Sequence, residues 1–225
     1  MPDITFGICN VAMRGALRLF SNWKVIGREN IPAEGPLLIV SNHMSNLDPP
    51  MIAASIPRRV NFIAKRGIFQ PGIRWFLKAY GAYPLNAVDE GNDIQAMLWM
   101  RQILRQDRAV VIFPESTRNP YVGMQKAASG VAFLAAKTQT TILPIGVTGT
   151  ERLGPLWRVM FPTGNLTVNI GKPFTLPDTK EKLDADKLAA MMDTVMGRVA
   201  DLLPTEYHGV YNPTNPPSGG DTANS

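Results

Sequence analysis

The run Ser41-Asn42-His43-Met44-Ser45-Asn46-Leu47-Asp48-Pro49 sets an imidazole five positions ahead of a carboxylate. On a continuous helix that offset keeps the two apart, because only side chains three or four residues apart meet. On a loop that folds back, Asp48 can accept a hydrogen bond from one ring nitrogen of His43 and leave the other free to take a proton. That is the base-and-orienter half of a site for nucleophilic attack. A plainer reading also fits, with His43 a hydrogen-bonded structural residue and Asp48 a helix N-cap ahead of Pro49. This stretch alone does not choose between them. A second cluster follows the apolar run Ala109 to Phe113, where Pro114-Glu115-Ser116-Thr117-Arg118-Asn119 brings an acid, two hydroxyls and a guanidinium together. Arginine offers a planar fork of donors suited to phosphate or carboxylate. A turn with a surface Glu–Arg pair is the bland alternative.

The elements that must position these groups are legible in outline. Leu37 to Val40 reads as a strand and the apolar stretch from Met51 to Ile56 as a helix, so His43 lies on a strand-to-helix loop. Open α/β sheets keep their reactive groups there. Further strands are expected at Trp23–Gly27, Val60–Ala64, Val110–Phe113 and Ile142–Val147, and an outer one at Leu166–Ile170, from apolar runs and alternation. Helical spacing predicts helices over 71–79, 93–105, 130–137 and 183–203. The methionine and valine stripe of the last (Met191, Met192, Val195, Met196, Val199) suits core packing. The expected fold is one α/β domain with a mostly parallel central sheet flanked by helices, preceded by an N-terminal amphipathic helix. The divisions are 1–22 for that helix, 23–209 for the domain, and 210–225 for a flexible tail of Pro, Gly, Ser, Asn and Thr.

Together the two clusters resemble the glycerolipid acyltransferases of the lysophosphatidic acid acyltransferase type, whose signatures are N-H-x4-D and F-P-E-G-T-R blocks. Asn42-His43 with Asp48 is similar to the first, and Phe113-Pro114-Glu115-Ser116-Thr117-Arg118 to the second. Val25 to Pro32 resembles the family's lead-in, Phe62-Ile63-Ala64-Lys65 and Gly81 to Leu85 its second block, and Ile142 to Val147 its fourth. The likeness spans about residues 23 to 209 in the family's order. Two positions depart from the pattern. Ser116 stands where the family usually has Gly, so its Cβ could restrict the backbone angle. Ala87 stands about where many members carry an Arg, which removes one phosphate donor.

The resemblance implies acyl transfer from acyl-CoA or acyl carrier protein to the free hydroxyl of 1-acyl-glycerol 3-phosphate, giving phosphatidic acid in phospholipid biosynthesis, without a cofactor. His43 would be the base and Asp48 its orienter. Glu115, Ser116, Thr117 and Arg118 would bind the acceptor, Arg118 through its phosphate, with Lys65 and Asn42 as further substrate-binding candidates. Other acceptors stay open: another lysophospholipid, a lyso-ornithine lipid or glycerol 3-phosphate. A non-catalytic basic protein on a membrane or nucleic acid is the rival from outside the family.

Composition bounds these readings. A chain of 225 residues can bury one good core. One cysteine excludes an internal disulfide, and two histidines with one cysteine do not make a zinc pattern, so no metal is expected. The net charge is +5. No acid falls between Asp48 and Asp89, whereas Arg58, Arg59, Lys65, Arg66, Arg74 and Lys78 do, interleaved with apolar and aromatic residues. That mixture suits an anionic bilayer. It would also suit nucleic acid, but no recognised motif for it is present. No stretch reaches the roughly 18 apolar residues needed to span a membrane. Residues 4 to 20 suit a helix lying in the interface, or else one packed on its own domain, and are not read as a signal peptide. The expected location is peripheral or monotopic, on the cytoplasmic face of the cell membrane.

Overall fold

A computed structural model describes residues 2–72, 74–85, 94–116, 118, 123–178 and 183–212. The chain opens with helix α1 (Pro2–Phe20), which passes without a loop into β1 (Ser21–Ile26). Then follow β2 (Leu37–Ser41), α2 (Asp48–Ser55), β3 (Val60–Lys65), α3 (Arg74–Ala79) and β4 (Ala82–Leu85). The remainder is α4 (Ile94–Leu104), β5 (Ala109–Ile112), α5 (Gly130–Thr138), β6 (Thr141–Thr148), β7 (Gly164–Ile170) and α6 (Ala185–Ala200). The strands form a seven-stranded sheet in the order β1-β7-β6-β2-β5-β3-β4. All neighbours are parallel except β6 and β7.

β2 lies mid-sheet, and its alternation divides the interior. Leu37 and Ile39 join a core with Phe6, Met13 and Leu17 of α1 and Met51 and Ile52 of α2. Leu38 and Val40 join a second core with Met100, Val131 and Met196 from α4, α5 and α6. All five β2 side chains are wholly buried, as a strand covered on both faces requires. After β2 the chain leaves to α2 on the first face, and after β5 to α5 on the second. The carboxyl ends of two neighbouring strands therefore part, which opens a crevice between them.

Several sequence expectations are corrected in detail. Asp48 is the first residue of α2 rather than its cap, and Leu47 occupies the cap position without a side-chain bond. The Asp48 carboxylate turns back to the loop instead of forward into the helix. β7 is not the outer strand, because β1 pairs beyond it and makes the edge. β4 was not foreseen as a strand. Ordered contacts continue into the expected tail, through Val210 and Tyr211. Residues 213–225, like Ala87, lie outside the described residues.

α1 has two apolar faces. Phe6, Met13 and Leu17 are buried against the domain, and Asn10 there donates to the Ala53 carbonyl at 3.0 Å. Ile4, Ile8, Val11 and Leu19 point the other way and are 65–76% exposed. Part of the basic excess is structural. Arg58 donates to the carbonyls of Pro32, Gly35 and Asp107 at 2.6–3.1 Å. Burial lowers its pKa, with Asp107 and Glu34 acting against that shift. Arg14 likewise donates to Ala54 O at 2.7 Å. Among the described residues no helix is long and apolar enough to cross a membrane.

Candidate active site

β2, β5 and β6 are parallel neighbours, so the loops after them converge at one edge of the sheet. The loop after β2 carries His43. Its Nδ1 lies 2.9 Å from Asp48 Oδ2. The same carboxylate oxygen accepts the backbone N–H of Met44 at 2.7 Å and of Ser45 at 2.8 Å. Asp48 Oδ1 accepts the hydroxyl of Thr150 at 2.6 Å, from just beyond the end of β6. Asp48 is 0% exposed, and both its oxygens are met: three donors crowd Oδ2 and Thr150 alone meets Oδ1. A carboxylate only accepts, so the proton between it and the ring belongs on His43 Nδ1. Nε2 is then the basic nitrogen, and it has no hydrogen-bond partner among the described residues. The imidazole stacks on Phe113, with ring centroids 4.2 Å apart and planes inclined by 26°. The His43 side chain keeps 18% exposure, enough to meet a substrate.

Glu115 joins the two sequence clusters. Its Oε1 accepts the backbone N–H of His43 at 3.2 Å and its Oε2 that of Gln125 at 2.8 Å. It is 7% exposed. The acid thus braces the histidine loop from the neighbouring strand. Ser116, next in the chain, is exposed and adopts φ 58°, the left-handed conformation that glycine takes most readily. The serine at the family's glycine position therefore keeps a glycine-like backbone. Arg118 is exposed at the same edge, and Thr117 lies outside the described residues. Lys65 ends β3, whose neighbour is β5.

Asn42 lines the same cleft, but its side-chain amide is engaged by backbone. Its amide donates to Val147 O at 2.9 Å and accepts from Val147 N–H at 2.8 Å. It copies a strand rung and extends the β2–β6 pairing by one position. Asn42 is 2% exposed. Three contributors were missed by sequence reasoning: Thr150, the stacking face of Phe113, and Tyr207, which lines the cleft with His43, Met44, Glu115 and Met124. Thr150 had a signal, being a hydroxyl just past a buried strand, but its use depends on β6 lying beside β2.

In this α/β fold an imidazole oriented by a buried acid, on a loop braced by a second acid, stands at the carboxyl ends of parallel strands with one ring nitrogen open, the arrangement a general base requires. Residues 22–148 match the acyltransferase family model, over half of the chain, and the chain belongs to that family. It is 32% identical over 188 residues to a 1-acyl-sn-glycerol-3-phosphate acyltransferase of Chlamydomonas reinhardtii, covering 82% of this chain and 54% of that protein. A chloroplastic enzyme of the same description from Arabidopsis thaliana is 32% identical over 157 residues, covering 68% and 44%. The chain thus spans about half the length of these two relatives. The crystal structure of the 1-acyl-sn-glycerophosphate acyltransferase PlsC from Thermotoga maritima superposes with a TM-score of 0.67 at 28% identity, covering 88% of this chain and 79% of that one.

Proposed function

We propose that this chain moves a fatty acyl group from an acyl thioester, acyl-CoA or acyl carrier protein, to the free hydroxyl of 1-acyl-glycerol 3-phosphate, giving phosphatidic acid. The observation that carries this reading is the buried Asp48 carboxylate, held by three donors besides the imidazole, which fixes the His43 tautomer and leaves Nε2 open at the cleft. In the proposed step Nε2 takes the acceptor's hydroxyl proton as that oxygen attacks the thioester carbonyl carbon. Asp48 stabilises the imidazolium. The carbon–sulfur bond breaks, and the imidazolium returns the proton to the leaving thiolate. No acyl-enzyme is needed, because the acceptor oxygen is itself the nucleophile. Arg118, exposed one residue beyond Thr117, is the proposed phosphate contact, with Lys65 as a second. Glu115 contributes by holding the His43 loop, and the Ser116 hydroxyl and Thr117 complete the acceptor side.

Membrane association, at the cytoplasmic face, belongs to the same reading. On the α1 side of the sheet, Ile4, Ile8, Val11 and Leu19 are exposed, as are Trp75, Trp157, Met160 and Phe161. Phe20 at the end of α1 meets Phe161 edge-on, with centroids 5.3 Å apart, which joins the helix to the 156–161 segment. Exposed Arg18 belongs to the same helix, and Arg158 to the 156–161 segment, where it lies over the Trp157 ring. Apolar side chains with interleaved cations suit an interfacial pose on anionic lipid.

The deciding assay is transfer from oleoyl-CoA to lysophosphatidic acid in vesicles, wild type beside His43→Ala. Wild type should make phosphatidic acid, and the folded variant should lose at least about 10²–10⁴ of the rate. Equal turnover by the two would remove His43 as the base. Transfer to other lysophospholipids but not to lysophosphatidic acid would move the acceptor assignment and leave the base intact.

A further inference from the structure

The family match stops at residue 148, yet one residue that lines the cleft, Tyr207, lies well beyond it. Around that tyrosine the C-terminal segment pairs backbone to backbone with the stretch that follows the second motif. Met124 N–H donates to Tyr207 O at 2.9 Å, and Val210 N–H donates to Met124 O at 3.0 Å. Ala127 N–H donates to the Tyr211 phenol oxygen at 3.1 Å. Gly123 and Gly209 face each other at this crossing with φ 76° and 53°, and a Cβ on Gly209 would press into the Met124 carbonyl. Only glycine on both sides permits that approach.

The paired stretch includes the residue that matters to the site. Gln125 N–H holds one oxygen of Glu115, whose other oxygen holds the His43 backbone. The far end of Tyr207 is tied as well, its hydroxyl donating to Glu151 Oε1 at 3.3 Å. Glu151 follows Thr150, the residue that donates to Asp48. Burial, then the Glu151 charge and that hydrogen bond, raise the phenol's pKa, so it remains a donor through the neutral range. Tyr207 is therefore linked to both acids of the site from a segment that neither motif includes.

We propose that Tyr207 is a positioning residue for the acceptor: it lines the cleft beside His43, with its side chain packed on both cores, while its backbone fixes the register that seats Glu115. The proposal rests on the acyl-transfer reading above. Its test is steady-state kinetics with lysophosphatidic acid and oleoyl-CoA on wild type, Tyr207→Leu and Tyr207→Phe, with melting curves to establish folding. Tyr207→Leu should raise the acceptor KM about tenfold and leave the donor KM within about twofold. Tyr207→Phe keeps ring and backbone and should restore the acceptor KM to within about threefold of wild type. A merely structural role would lower the melting temperature and the active fraction without separating the two KM values. A folded Tyr207→Leu whose acceptor KM is unmoved, or whose two KM values rise alike, overturns the role. No transfer by wild type brings down the parent reading instead. If Tyr207→Leu does not fold, amide exchange on wild type decides. Protection at Met124 and Val210 should rise with lysophosphatidic acid and not with coenzyme A, and an equal response to both overturns the proposal.

Discussion

Asp48 shows how much of this site is decided by single hydrogen bonds. Four donors meet one wholly buried carboxylate, and the shortest comes from Thr150, 102 positions along the chain. Thr150→Val keeps the shape and removes the donor. One oxygen of a buried acid is then unmet, which costs about 1–3 kcal/mol of stability. The imidazole is also held less firmly, and turnover should fall about tenfold. Denaturant unfolding and single-turnover kinetics read the two effects separately, and unchanged turnover would mean that the two backbone donors suffice. Ser116 calls for the opposite change. A left-handed conformation costs an ordinary residue about 1–2 kcal/mol, and glycine gives back part of that gain through its freer unfolded chain. Ser116→Gly should raise the melting temperature slightly, and a lower one would show that the serine side chain is itself engaged. His43, Asp48 and Glu115 stood out in the sequence by type and spacing, although a structural reading stayed open there and the resemblance gave Glu115 to the acceptor, whereas it holds the backbone N–H groups of His43 and Gln125. Thr150 and Tyr207 did not stand out, because each reaches the site through tertiary pairing that no local pattern encodes.

At the scale of elements, hydrophobic periodicity located the helices and most strands to within a few residues. β4 escaped because it is four residues long and contains Pro84, which reads against a strand. The place of β7 escaped because alternation reveals a half-buried strand and says nothing about its neighbours. α1 illustrates a pattern that reads two ways at once. The sequence allowed either an interfacial helix or one packed on its own domain; the fold packs one face and exposes an apolar stripe on the other. Substitutions on the two faces should therefore behave differently. Leu17→Ala opens a space in a wholly buried position and should cost about 2–5 kcal/mol. Ile8→Asp, on a 65% exposed side chain, should leave the melting temperature nearly unchanged and weaken sedimentation with anionic vesicles. Vesicle binding that ignores Ile8→Asp would shift the lipid contact to the Trp157–Phe161 segment or to α3.

For the whole molecule, buried phenols set an alkaline limit. Tyr80 is 3% exposed, donates to Asn10 Oδ1 at 3.2 Å, and packs with Phe6, Phe62 and Phe76. Burial, reinforced by Cys9 and opposed by Arg14, pushes its pKa far above the ordinary 10.0. Tyr207 and Tyr211 are raised too, again chiefly by burial. Folded pKa values above the unfolded ones mean that this stabilisation is complete below pH 10 and is lost as pH rises through the folded values. Unfolding free energy should thus fall steeply above pH 10, with phenolate absorbance appearing together with unfolding. Tyr80→Phe should flatten that fall, and an unaltered slope would assign it to other groups.

The central position of β2 has a consequence for how the protein is made. Its two neighbours, β5 and β6, are the fifth and sixth strands synthesised, so Leu37 to Val40 leave the ribosome long before either partner exists. At roughly 5–20 residues per second, the wait until Thr148 is in place is about 5–20 s. During that interval a strand with four consecutive apolar residues and both edges open is available to any other nascent chain. Translation speed and chaperone supply, rather than final stability, should then govern the soluble yield, and slowing synthesis between β2 and β6 should lower it.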